Sequence, residues 1–410
     1  MLARLVPEDP AVRRMALATL VNTSGRGIYY TLSALYFTRI VGFSVVEVGL
    51  GLSIAAAVAL GAGVPIGHLA DRRGPREVQI WLVSAIAALS AAYLLVETWW
   101  QFVVLSVLVA VLDRGSGAVR AAMIAGLVQG ADRAATKAYL RSITNVGMTL
   151  GSGVAALALV ADTRAAYLTV LYLDGATYVV TALLLRGLPH LPPVPADQAS
   201  GMLTALRDRP FMAVVLVSSV LTMHYWILEI AVPLWVVEHT SAPRALVAAL
   251  MVVNTLAVVG LQVAVARRVT TVPGAVRATV LSGVLFLVAC AVYGLSGSPG
   301  PAVATLLLVV ATAVAVGGEL TQAAASFVLS FELPPDHAMG QYQGAWGLGF
   351  AISSLLAPTA MALLPLRHGL AGWLVLGGLL AAAALATGPA VRWAARSRPH
   401  VGAGTPLSAS

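Results

Sequence analysis

The residues of this chain that could do chemistry are few, and they sit inside long apolar runs. One run carries Asp113-Arg114-Gly-Ser-Gly-Ala-Val-Arg120. A charge near the centre of a bilayer costs about 2.5–3.5 kcal/mol on insertion scales, so three charges here are not idle. Asp174, His224, Glu229 and Glu319 lie in other apolar runs. A buried carboxylate whose desolvation favours its neutral form can take a proton from one side of a membrane and release it on the other. One proton crossing 100 mV supplies about 2.3 kcal/mol. Among the acids, Glu319 is preferred for that task, then Glu229, then Asp113, with Asp174 a further candidate. Gly317-Gly318 is expected to let another backbone approach Glu319. For each acid, an ion pair with Arg26 or Arg114 is the structural alternative. His224 reads first as a hydrogen-bonded interior histidine.

Arg26, in Asn22-Thr-Ser-Gly-Arg26-Gly-Ile-Tyr29-Tyr30, falls near the middle of the first apolar run. It must face a cavity or pair with an acid on another helix. Arg114 is placed near mid-membrane, with Asp113 as a possible pair, although sequence neighbours point about 100° apart on a helix. Arg120 lies about two turns away and reads as the more structural charge, a candidate partner of Asp71, which can alternatively sit near a helix N-terminus. A small-molecule cavity is apolar with a few polar groups. The candidates to line one are Arg26, Tyr29, Tyr30, Asn145, Tyr225, Trp226, Asn254, Gln262, Gln343 and Trp346. Any single aromatic among them serves equally well as packing.

The elements that position these residues follow from composition. Of the 410 residues, 59% are hydrophobic and only 10% charged. Soluble domains average about 25% charged, so lipid must solvate much of this surface. Only helices and closed barrels satisfy their backbone there, and the apolar runs are too long and unbroken for barrel strands. Helices are expected near residues 13–38, 45–69, 77–97, 99–125, 137–161, 164–186, 211–238, 244–266, 274–296, 301–331, 337–364 and 368–388. The fold class is therefore an all-α membrane protein with twelve spans. A proline-rich stretch separates the sixth and seventh. The domains read as a six-helix bundle over 1–186, a linker over 187–210, a second bundle over 211–390 and a tail over 391–410. Two such halves place a site between them.

Charge then sets direction. Of the 25 lysines and arginines, only Arg39, Arg164, Arg244 and Arg367 fall in one set of loops, and Arg26, Arg114 and Arg120 fall inside helices. The others, from Arg4 to Arg398 and including Lys137, fall in the opposite set. The positive-inside rule puts both termini and the linker in the cytoplasm of a cell whose plasma membrane the chain crosses. The net charge of +8 is thus a matter of topology, and no nucleic-acid partner is expected. The lone Cys290 excludes an internal disulfide. No nucleotide-binding loop or metal cluster appears, which argues against an enzyme and against a cofactor. The chain is expected to act as a monomer.

Two short patterns are local. Ser44-Val-Val-Glu47 reads as a capping box opening the second helix. Trp99 and Trp100 read as interfacial belt. A third pattern follows the second helix: Gly67-His-Leu-Ala-Asp71-Arg72-Arg73-Gly74-Pro75-Arg76. Gly74 suits a tight reversal and Pro75 the first turn of the next helix. This loop resembles the signature loop of the major facilitator superfamily, and the six-plus-six layout extends the resemblance over essentially the whole chain. The resemblance implies two bundles rocking about a central site. It also implies that Gly67, Asp71, Arg72, Gly74 and Arg76, with Arg120, latch the cytoplasmic side. The second-half counterpart, Arg267 to Arg277, lacks the aspartate.

Arg114 resembles the fourth-helix arginine of the drug:proton antiporter branch, which implies a place near proton transfer. Gly147, Gly151 and Gly153 resemble that branch's glycine-rich fifth-helix motif, without its proline. Gly340-Gln-Tyr-Gln-Gly344-Ala-Trp-Gly347 is similar to a segment of actinobacterial drug-exporter-like members. Members of the branch often place an acid in the first helix, where this chain has Arg26. The leading expectation is a proton-coupled exporter of amphiphilic small molecules, of the kind that confers multidrug resistance. The alternatives are a proton-coupled importer of a small anionic or zwitterionic solute and a transporter-like sensor that carries nothing.

Overall fold

The computed structural model describes residues 9–130, 132–161, 163–195, 201–297 and 300–397. Arg4, Arg398, linker residues 196–200 and tail residues 398–410 lie outside the described residues. The described chain is helical, with no strand. It divides into two compact units, Met1–Thr204 with Asp336–Leu348, and Ala205–Pro335 with Gly349–Ser410.

The first unit contains α1 (Pro10–Leu35), α2 (Val45–Ala59), α3 (Gly63–Arg73), α4 (Pro75–Ala92), α5 (Trp99–Leu127), α6 (Asp132–Ala161) and α7 (Arg164–Arg186). Their starts are written locally. Asp9 accepts the amide of Ala11 ahead of Pro10 in the first turn of α1. The capping box of Ser44 and Glu47 is present on α2, and Thr98 with Gln101 makes another on α5. Gly74 takes φ +88° between α3 and α4, and Pro75 opens α4. Small residues bring α1 and α6 together: a Cβ on Gly27 would collide with the Met148 carbonyl, and one on Gly151 with the Ser24 carbonyl. Gly147 abuts Thr23 in the same crossing. Toward the α1–α2 connection, Phe37 packs against Phe102, Tyr93 and Phe43. Trp99 is not only belt, because its indole N–H donates to the Glu47 carbonyl at 2.8 Å and ties α5 to α2.

The second unit contains α8 (Thr204–Arg207, which begins at the boundary), α9 (Arg209–Thr222), α10 (Val232–His239), α11 (Leu246–Ala266), α12 (Val272–Leu295) and α13 (Pro301–Glu332). Then α14 (Met339–Met361) begins in the first unit and ends in the second, and α15 (Arg367–Arg396) completes the described chain. In the second unit α12 packs against both α13 and α15. Trp373 lies against Trp235 and Tyr293; Trp235 donates to Ser296 at 3.0 Å and the Tyr293 and Thr312 hydroxyls bond at 2.8 Å, while the Trp373 indole N–H is buried without a partner among the described residues.

Large apolar side chains point outward along these helices; Val160 is 86% exposed and Leu256 67%. A face of that kind suits lipid and not water. Among the described residues, eight helical stretches are long and apolar enough to cross a membrane, or nine if the bent pair α2–α3 is one span. Several expected spans differ in detail for physical reasons. The second helix bends by 50° between α2 and α3. The seventh is interrupted between α9 and α10, with a π turn at Ile227–Ala231. A π turn at Ala362–Leu366 and the positive φ of Gly369 let the chain double back, so that Gly372 meets the Leu364 carbonyl. α6 begins at Asp132, so Arg133 and Lys137 are helical and not loop residues.

Candidate functional site

Within the first unit, α1, α5 and α7 bring charges together inside apolar helices. Arg26 donates from Nη2 to Asp113 Oδ2 at 3.0 Å, and to the Tyr30 hydroxyl at 3.3 Å. Its guanidinium also lies 5.7 Å from the centre of the Tyr30 ring, one turn on. Both charged side chains are largely enclosed, 22% and 28% exposed. Asp113 therefore pairs with Arg26 across two helices and not with Arg114 beside it, because neighbours on a helix diverge. Arg114 is half-buried and makes no hydrogen bond or ion pair among the described residues.

Asp174 on α7 is 2% exposed, and its Oδ1 has no hydrogen-bond partner among the described residues. It stands there because α1 presents Gly25: a Cβ at that position would run into Asp174 and Thr177. Beside it is a small cavity of about 10 Å³, lined in part by Tyr29, Ser90, Tyr93 and Asp174. The Tyr29 hydroxyl donates to that of Tyr93 at 3.3 Å, which donates in turn to Ser106 at 3.1 Å. Two carboxylates, one guanidinium and a chain of hydroxyls can hold and pass a proton. Sequence reasoning missed Tyr93 and Ser106; each is an ordinary polar interruption of an apolar helix until packing joins them.

Asp71 is not partnered by Arg120. Its carboxylate accepts the amides of Gly340 at 2.7 Å and Gln341 at 3.1 Å, at the start of α14. Orphan amides and the positive end of the helix dipole make that terminus a carboxylate site. Gly67 and Gly63, one and two turns before Asp71, meet the backbone of Gly340 and Gly344 directly. The signature segment is thus helical through Arg73, and only Gly74 turns. Arg72 is exposed. Arg76 bonds the carbonyls of Leu185 and Arg186 at the end of α7 and pairs with Glu77 at 3.1 Å, so it caps a helix. Arg133 pairs with Asp336 at 3.1 Å, and Lys137 donates to Gln343 Oε1 at 3.3 Å.

The other expected site residues are dispersed. Asn145 and Trp346 are half-buried in the first unit. In the second unit, Tyr225 and Trp226 lie tilted against Phe350, with ring centroids 6.4 and 5.3 Å away. Asn254 is half-buried; Gln262 is fully buried with neither amide atom bonded among the described residues. Glu229, within the π turn Ile227–Ala231, is exposed, which corrects the expectation that it is buried. Glu319 is half-buried, and Gly318 beside it makes room for the Phe286 ring and not for another backbone. His224 bonds the Leu221 carbonyl through Nδ1 at 2.7 Å and stacks on Phe286, as expected of an interior histidine. Among the described residues, no group of three or more metal-binding side chains occurs.

The sequence profile of the Major Facilitator Superfamily matches residues 15–358. A sequence comparison with curated proteins finds no match. Among solved structures, the human organic anion transporter MFSD10 (TETRAN) is similar over 93% of this chain and 100% of that one, at 15% identity and a TM-score of 0.73. A bacterial homologue of the iron transporter ferroportin, in an outward-facing state, is similar over 95% and 100%, at 14% identity and a TM-score of 0.70. The proton:xylose symporter XylE is similar over 92% and 94%, at 13% identity and a TM-score of 0.65. At these identities the likeness is one of fold: an all-α, multi-pass membrane protein with the major facilitator fold.

Proposed function

Because this chain belongs to the major facilitator superfamily, and so is a secondary transporter and not an enzyme, we propose that it is a proton-coupled exporter of amphiphilic small molecules. The observation that carries this reading is the placement of two carboxylates, Asp113 and Asp174, about one guanidinium, Arg26, inside apolar helices. One positive charge cannot pair fully with both acids. A proton arriving on Asp174 removes the excess negative charge, and a proton on Asp113 frees Arg26 to move. Each state favours a different helix arrangement, which is what coupling requires. The Tyr29–Tyr93–Ser106 chain gives the proton a path.

The Asp71 bond to the start of α14 supports a latch that closes one side of the carrier and opens when α14 withdraws. In this reading the bundles span 1–186 and 211–390, the linker covers 187–210, the tail 391–410 and both termini face the cytoplasm of a plasma membrane. The protein works as a monomer. Proteoliposomes with an imposed pH gradient test the reading. Accumulation of an amphiphilic dye on the acidic side is the expected result. Uptake that ignores the gradient, or follows the proton inward with an anionic solute, would overturn it.

A further inference from the structure

A second polar cavity in the first unit is separate from the carboxylate cluster. It holds about 20 Å³ and is lined in part by Thr19, Asn22, Gln79, Arg120 and Thr181. All but Arg120 are buried; Asn22 is 8% exposed and Gln79 5%. Arg120 makes no hydrogen bond or ion pair among the described residues, and Asp113, the acid whose charge reaches it, is bonded to Arg26 at 3.0 Å. Lys137 stands within reach of the charges of both Arg120 and Arg141, so the surroundings of Arg120 gain further positive charge.

We infer that this cavity is a binding site for one small monovalent anion of halide size. A guanidinium inside a membrane without a counter-charge is costly, and a water molecule lends it no negative charge. The cavity leaves room for a small occupant beside Arg120. One guanidinium balances one negative charge, so a divalent anion such as sulfate would stay uncompensated. The walls are chemically suited. The Asn22 amide and the Thr19 hydroxyl have no other bonds among the described residues. Gln79 donates its Nε2 to Ser116 at 2.7 Å and leaves Oε1 unbonded. Turning that amide over keeps the bond, with Ser116 as donor, and points N–H groups at the anion. The occupant would tie α1, α4 and α5 together beside the proton site without competing for it.

The full chain, purified in detergent, tests this by thermal unfolding in chloride, bromide, sulfate and gluconate at equal ionic strength. Chloride and bromide should raise the midpoint saturably, and sulfate and gluconate should not. Arg120→Gln should abolish the halide response. Asn22→Leu and Thr19→Val, milder changes that keep the charge, should each raise the half-saturating chloride concentration about tenfold, the loss of roughly one charge-assisted bond. Equal midpoints in chloride and gluconate would overturn the inference. So would a sulfate response matching that of chloride, or an unchanged chloride response in Asn22→Leu and Thr19→Val, whatever the fate of Arg120→Gln.

Discussion

Arg26 on α1 and Asp113 on α5, 87 residues apart in the chain, meet at 3.0 Å inside the first unit. Each satisfies a charge that the other's helix could not carry alone. Breaking the pair from either side leaves an uncompensated ion. Arg26→Gln and Asp113→Asn should each destabilise the protein by about 1–3 kcal/mol, a range reduced from fully buried pairs because both side chains retain some exposure. The double variant should lose less than the sum of the two. Thermal midpoints of the four proteins give the coupling directly; strict additivity would mean the pair is energetically idle.

Asp174 differs from Asp113 in having no positive partner bonded to it. Asp174→Asn keeps the shape and removes the titrating group. Dye exchange in proteoliposomes without a gradient should persist, while accumulation driven by a pH gradient should vanish. Glu229→Gln, at an exposed position, should leave both readings unchanged. Full proton-driven accumulation in Asp174→Asn would move the proton site elsewhere, Glu319 first.

Asp71 accepts two amides at the start of α14. Asp71→Ala removes a capping acceptor and a charge at the positive end of a helix, which together are worth about 1–2 kcal/mol. Asp71→Asn should retain part of the capping and lose the charge. The expected order of thermal midpoints is wild type, then Asn, then Ala. A midpoint for Asp71→Ala equal to wild type would show that this contact holds nothing.

Gly151 and Gly153 lie two residues apart on α6 and face opposite requirements. A Cβ at Gly151 meets the Ser24 carbonyl, whereas at Gly153 it meets open space. Gly151→Ala should push α1 from α6 and lower both expression and the midpoint. Gly153→Ala should be neutral, or stabilising by about 0.5–1 kcal/mol through helix propensity. Equal behaviour of the two variants would contradict the α1–α6 crossing.

Much of this was legible from residue order. Capping boxes, the Gly74–Pro75 turn and the class of helix follow from local propensities, because each involves residues within a turn of one another. The family resemblance was legible too, since Gly67 to Arg76 is contiguous. Partnerships were legible only as open alternatives. Sequence reasoning left Asp71 to a nearby arginine, Arg120 among them, or to a helix N-terminus, and left Asp113 to Arg114 or Arg26, because charge sign and depth alone do not choose. The structure gives Asp71 the backbone amides of α14, which carry no signature in side-chain type.

Amino-acid order by itself determined that lipid is the solvent, that helices are the only backbone solution, and that a few charges must lie among them. Those conclusions rest on the energy of transferring groups to a bilayer, which depends on composition and run length. Only tertiary structure decided which charge meets which. Helix rotation and the small residues at Gly25, Gly67 and Gly151 set the distances between side chains, and ionic energies fall off within a few ångströms. With α1 turned by a quarter, Arg26 would no longer face Asp113.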